Sequence, residues 1–125
     1  MFNALQITNG FIENNTDFSS IISELRSRLS ANEIIVPQRH HHDFPNPEAN
    51  TASTLLLMPA WNPSKEAGVK VITVSPENGQ YNLPSIQGTY IYLDAAKGDV
   101  KALIEAKNLT AKRTAATSAL ASFYL

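Results

Sequence analysis

Two short apolar runs decide most of what this chain can become. Ser53 to Met58 and Val69 to Val74 are each about one strand long, with Pro59 and Pro63 around Trp61 between them. An apolar run of that length, bounded by turn residues, reads as a strand buried on both faces. Pro59 and Pro63 are then expected to stop the ladder and shape a turn at Trp61. A sheet with a covered core follows, and the rest of the chain has to supply its cover.

One covering element is plain. Phe18, Ile21, Ile22, Leu25 and Leu29 recur at helical spacing, with Thr16-Asp17 as N-cap and Asn32 as stop. The pattern predicts an amphipathic helix packed on a flat surface. A second helix is expected from Thr110 to the chain end, where the residues are small and Leu125 is reached without Gly, Asn or Pro. Further strands are expected at Ala4–Thr8, ended by an Asn9-Gly10 turn, at Glu33–Pro37, at Ile86–Leu93 and at Val100–Ile104. Asp94 to Gly98 reads as a hairpin, its Asp side chain bonding the turn backbone. Ser75-Pro76-Glu77-Asn78-Gly79 reads as a turn that takes its left-handed residue from Asn-Gly. The segment His40 to Asn50 holds Pro45 and Pro47 with few aliphatics, so a loop is expected there. The total is an α+β domain of five or six strands and two helices. So small a sheet leaves bare edges, which dimerisation would cover.

With 125 residues the chain suits a single domain spanning 1–125. Ten basic and eleven acidic side chains leave a net charge of -1, which offers no field for nucleic acid or an anionic membrane. No apolar stretch approaches a membrane span, and the N-terminus has no basic leader. The absence of cysteine removes thiolate chemistry and fits a reducing cytoplasm.

Three basic residues stand out as candidates. Lys70 interrupts a strand that is otherwise apolar on both faces, so its ammonium either reaches water at the strand end or lines a pocket with its proton loosened. Lys112-Arg113 read as lying in the first turn of the last helix, where the dipole favours anions; they are solvated surface cations or they hold a carboxylate or phosphate. Arg39 follows a strand and opens the loop of His40, His41 and His42. Neighbours on an extended chain point to opposite sides, so no metal site is expected from these histidines. The five glycines form neither a Gly-x-Gly-x-x-Gly turn nor a phosphate loop.

Met58-Pro59-Ala60, Gly68-Val69-Lys70-Val71-Ile72-Thr73-Val74, Leu93-Asp94 with Gly98, and Leu109-Thr110-Ala111-Lys112-Arg113-Thr114-Ala115-Ala116 occur in the order and spacing of one known family. From about Val36 to Leu125 the chain resembles the ornithine cyclodeaminase/mu-crystallin enzymes. That resemblance implies an N-terminal domain whose sheet closes into a barrel-like core by homodimerisation, followed by a Rossmann domain that binds NAD or NADP. It implies that Arg39 and Arg113 clamp a substrate carboxylate, and that Lys70 contacts the substrate and assists proton transfer at the amine or imine. The reactions implied are cyclising deamination of ornithine, reduction of cyclic ketimines such as pyrroline-2-carboxylate, or alanine dehydrogenation. The ornithine enzymes resemble one another in a glutamate two residues before the Met-Pro pair. Leu56 stands there instead and favours a cyclic imino acid. This chain ends before any Gly-rich turn, so it is expected to hold no cofactor by itself and to be inactive alone. A short carboxylate-binding or dimerising protein without catalysis is the alternative.

Overall fold

The computed structural model describes residues 3–63 and 65–124. Met1, Phe2 and Leu125, read above for leader and stop signals, lie outside the described residues, as does Ser64. The elements in chain order are β1 (Leu5–Ile7), α1 (Asn9–Asn15), α2 (Phe18–Ala31), β2 (His40–Asn46), β3 (Thr51–Asn62), β4 (Glu66–Val74), a 3-10 helix (Pro76–Tyr81), β5 (Ile86–Asp94), β6 (Val100–Glu105) and α3 (Ala106–Ser122). The six strands form one mixed sheet in the order β1-β6-β5-β4-β3-β2, open at both edges. Only β1, added parallel to β6, breaks the antiparallel pattern. The fold is α+β, as the sequence predicts. No helix among the described residues is long and apolar enough to cross a membrane.

The two long apolar runs become the centre of this sheet, β3 and β4, but the proline reading needs correction. The β3–β4 ladder continues through Pro59, paired with Val69, as far as Asn62. Trp61 N–H bonds outward to Ile35 O at 3.0 Å. By the two-residue alternation of a strand, the nitrogen of Pro59 also faces outward, so its missing hydrogen costs the β3–β4 ladder nothing. The expected loop at His40–Asn50 is likewise a strand in its first part. β2 is an edge strand, where Pro45 opposite Ala52 is tolerated. The expected strand at Glu33–Pro37 shrinks to a single bridge, Ile35 with Trp61.

Helix α2 obeys its caps: Asp17 accepts from Ser20 N at 2.9 Å, and Asn32 closes it in the left-handed conformation at φ 53. Asn9-Gly10 opens helix α1 rather than a turn, because Thr8 caps it by accepting from Phe11 N at 3.2 Å. The Asp94 hairpin forms as expected, the carboxylate accepting from Ala96 N and Lys97 N while Gly98 takes φ 82. After β4, the left-handed residue is Asn82 at φ 56 rather than the Asn78-Gly79 pair, which the 3-10 helix absorbs.

The two faces of the sheet differ. Residues directly paired across strands share a face, so Leu56, Met58, Gly68, Lys70, Ile72, Gly88, Tyr90, Ala102 and Ile104 lie together. Helix α3 crosses this face: a Cβ on Gly88 would collide with Ile72 and stand 3.2 Å from the Ala106 Cβ. Helix α2 packs mainly on α3 and ties to the same face through Arg28–Glu66 at 3.2 Å. It was expected to lie on a flat surface; instead Phe18 and Leu29 remain exposed. The opposite face carries Leu55, Leu57, Val69, Val71, Ile91 and Leu103, each half-exposed.

Candidate functional site

Lys70 sits in the middle of the helix-covered face. Its paired neighbours are Met58 on β3 and Tyr90 on β5, with Gly68 and Ile72 on either side along β4. Burial holds its ammonium below the ordinary lysine range, and the positive charge of Arg113 on α3 pushes it the same way. Lys70 and Arg113 are therefore close enough to repel. Among the described residues neither forms a salt bridge, whereas Arg28, Lys65, Lys101 and Lys112 each have a carboxylate within 4.0 Å. Two neighbouring cations without an acid between them form a place where an anion is stabilised.

The route to Arg113 differs from the one the sequence suggests. Helix α3 begins at Ala106, more than a turn and a half before Lys112-Arg113, so the pair does not occupy the helix start. That start is served by Asn9, whose Oδ1 accepts from Asn108 N–H at 3.1 Å and whose amide donates to Glu105 at 2.6 Å. Lys112 has a structural use. Its ammonium donates to the carbonyls of Ile12, Glu13 and Thr16 at 3.4, 3.3 and 3.1 Å and to Thr16 Oγ1 at 2.8 Å. It thus caps the C-terminal end of α1, where a helix dipole favours a cation. Successive helix residues diverge by about 100°, which leaves the adjoining Arg113 exposed and directed apart from that cap.

Arg39 is exposed and immediately precedes β2. The ladder with β3 ends at His40, opposite Leu57, and the isolated Ile35–Trp61 bridge is one residue out of that register, so Arg39 lies in the unpaired stretch between them. Of the three expected residues, Lys70 lies on the helix-covered face and feels the charge of Arg113 on α3, whereas Arg39 is exposed just before β2. Around Lys70 the wall is apolar, with Leu56 opposite Ile72 and next to Met58.

His41 lies on this face and pairs with Asp43 at 3.1 Å, while Thr54 Oγ1 donates to the same carboxylate at 2.6 Å. The Thr54 bond and then His41 hold the Asp43 carboxyl below its ordinary range. His40 and His42 turn to the other face, their ring centroids 5.9 Å apart. Among the described residues no three metal-ligating side chains converge.

Tyr90 is the site residue that sequence reasoning missed. A tyrosine in a strand looks like an ordinary sheet former. The signal was Gly68, since a glycine inside a strand often marks a close approach by another group. A Cβ at Gly68 would collide with the Tyr90 hydroxyl and ring. Burial, then Tyr92 and Glu66, raise the phenol above its ordinary range, so it stays neutral.

The glycines do not fit a nucleotide. Gly68 lies under Tyr90 and Gly88 under Ile72 and Ala106, Gly10 and Gly79 are inside helical turns, and Gly98 closes a hairpin. A pyrophosphate needs bare backbone at a strand-to-helix turn, and none of the five provides it.

Comparison with known proteins matches residues 20–125 to the ornithine cyclodeaminase/mu-crystallin family. A Delta(1)-pyrroline-2-carboxylate reductase of Bacillus cereus is 41% identical over 98 residues, which is 78% of this chain and 29% of that protein. The Thermococcus litoralis Delta(1)-pyrroline-2-carboxylate reductase, solved with NADH and L-proline, superposes with a TM-score of 0.80 at 28% identity, covering 97% of this chain and 38% of that one. An archaeal alanine dehydrogenase dimer with bound NAD shares the fold with a TM-score of 0.82 at 22% identity, covering 98% and 37%. The chain spans about a third of the length of these relatives.

Proposed function

This chain belongs to the ornithine cyclodeaminase/mu-crystallin family, and from that premise we propose that it is the substrate-holding part of an NAD(P)-dependent enzyme that reduces small cyclic ketimines such as pyrroline-2-carboxylate. The observation that carries the reading is the adjacent pair of cations without a carboxylate, Lys70 and Arg113, set against Leu56, Met58 and Ile72. Arg113 and Arg39 bind the α-carboxylate, the guanidinium geometry suiting two parallel hydrogen bonds. The ring of the substrate lies over the apolar wall. Leu56 offers no charge to a distal amine, which favours a cyclic imine over ornithine. Lys70, its proton loosened by burial and by Arg113, gives a proton to the imine nitrogen and takes it back from the amine in the reverse direction. The hydride that completes the reduction is held outside this set of residues, since the glycines form no cradle.

The uncovered apolar face supports a homodimer joined sheet to sheet, which would complete a barrel-like core. A cytoplasmic setting suits a chain without cysteine.

Calorimetry on the 125-residue chain with pyrroline-2-carboxylate, L-proline and L-ornithine tests the site. The cyclic ligands should bind more tightly than ornithine, and Arg113→Ala should weaken them on the order of tenfold or more, the usual loss for a charge-assisted hydrogen bond. Equal affinity in wild type and Arg113→Ala would remove the carboxylate site.

A further inference from the structure

We propose that Tyr90, seated on the bare backbone of Gly68, is the positioning residue for Lys70: its ring forms the wall that shields the lysine stem from water on the Gly68 side of the strand. The inference rests on the reading of Lys70 as the proton-handling group and gives that group a physical basis. Tyr90 and Lys70 are direct partners across the β4–β5 ladder, which sets their Cβ atoms about 5 Å apart. From there the ring leans along β4 until its hydroxyl stands over Gly68, filling the place of a side chain at that position. Lys70 thus has Tyr90 on one flank, Ile72 on the other and Met58 opposite, with Arg113 on α3 as its polar neighbour. A residue with any side chain at position 68 would evict the ring and open that flank.

The charged and titratable groups around Lys70 are few. Arg113 faces it from α3. His41 stands on the far side of β3, beyond Leu56, and Arg39 just precedes its strand. Glu66 lies beyond Gly68 on β4 and is tied to Arg28 of α2, and β5 contributes the phenols of Tyr90 and Tyr92. No carboxylate is paired with the ammonium among the described residues. The proton affinity of Lys70 is therefore lowered by partial burial and by Arg113, and the Tyr90 ring is the side chain paired with it directly from β5. Its burial keeps the phenol neutral, so it excludes water without adding charge.

The test is a pH titration of the lysine side chains by NMR on the isotope-labelled 125-residue chain, with Lys70→Gln used to assign the signal. Lys70 should titrate below the ordinary lysine value of 10.5. Tyr90→Leu, too short to cover Gly68, should raise the proton affinity of Lys70 about tenfold, and Gly68→Ala should act in the same direction. Tyr90→Phe keeps the ring and should leave Lys70 within about twofold of wild type. The dispersion of the backbone amide signals reports in each sample that the fold is kept. If Tyr90→Leu folds and leaves the Lys70 titration unmoved, the proposal is overturned; a Tyr90→Phe shift as large as that of Tyr90→Leu also overturns it, since the hydroxyl and not the ring would then be responsible. Because the readout needs no substrate, it stands apart from the functional reading, which fails separately if Lys70→Gln leaves turnover of the ketimine intact in the NAD(P)-dependent enzyme.

Discussion

The two faces of one sheet solve the same problem in opposite ways. On the helix-covered face, two positions are glycine so that neighbours can come close: Gly68 admits the Tyr90 ring, and Gly88 admits Ile72 and Ala106. Cover there comes from within the chain, and it is tight enough that a lone lysine among apolar residues loses part of its hold on a proton. Among the described residues the strands put no glycine on the other face, where the small side chains include Ser53 and Ala67. Leu55, Leu57, Val69, Val71, Ile91 and Leu103 stand partly exposed, on the side away from the Gly88–α3 packing. Among the described residues even the buried hydrophobic core is short, made of Ile12, Ala102, Ala106, Ala116 and Leu120, with no large side chain fully enclosed. The contrast teaches where each kind of information sits: the covered face is shaped by close, residue-specific packing, while the open face is a generic apolar surface.

The sharpest way to break that contrast is to put a charge on the open face. Val71→Asp should leave the helix-covered side and its unfolding transition largely in place, yet weaken self-association by roughly a hundredfold or more. An unpaired carboxylate buried in an apolar interface costs several kcal/mol. Sedimentation velocity across a concentration series would show it. A Val71→Asp chain as dimeric as wild type would mean that the open face is not where two copies meet.

On the covered face the corresponding probe is volume. Gly88→Val would drive methyl groups into Ile72 and the Ala106 end of α3. Overpacking of this kind typically costs about 1–3 kcal/mol, read as a lower urea midpoint. Because α3 carries Arg113, carboxylate affinity should fall with it. If stability drops while self-association is unchanged, the two faces are separable; if both change together, the sheet transmits strain from one to the other.

How much of this was legible beforehand varies from element to element. Helix α2 was legible to its last residue because its signals are local: Asp17 and Asn32 act on backbone groups within one turn. The Asp94 hairpin was legible for the same reason. The prolines were not. Whether Pro59 or Pro45 breaks a ladder depends on which way its nitrogen faces and whether a neighbour stands there, and both follow from the order of strands in the sheet. The candidate site divides along the same line. Lys70 and Arg113 could be singled out because a cation in the wrong setting is visible in one dimension, although the helix-start argument for Arg113 was displaced by Asn9 and the earlier start of α3. Lys112 could not be separated from Arg113 until α1 was seen to end beneath it. Tyr90 becomes meaningful only through a cross-strand register that brings it to Gly68.

The smallest effect, and the one that most directly sharpens the comparison, is the dependence of stability on pH at Lys70. Its folded-state proton affinity lies below the ordinary value of 10.5. Between that lowered value and 10.5 the unfolded chain binds the proton more than the folded chain does, so stability rises with pH through this window. Below the window both states are charged and the cost of burying the ammonium is felt in full; above 10.5 both are neutral and it vanishes. Lys70→Met, which keeps the length and removes the charge, should therefore melt at a higher temperature than wild type near pH 7, by about a few degrees at most for a site this close to water. The advantage should shrink steadily as the pH approaches 10.5. A neutral substitution on the open face, such as Val71→Leu, should show no such pH-dependent difference. Melting curves of the three proteins at pH 7 and near 10.5 decide the matter, and a Lys70→Met advantage that stays constant with pH would mean that packing, not charge, separates lysine from its neighbours on that face.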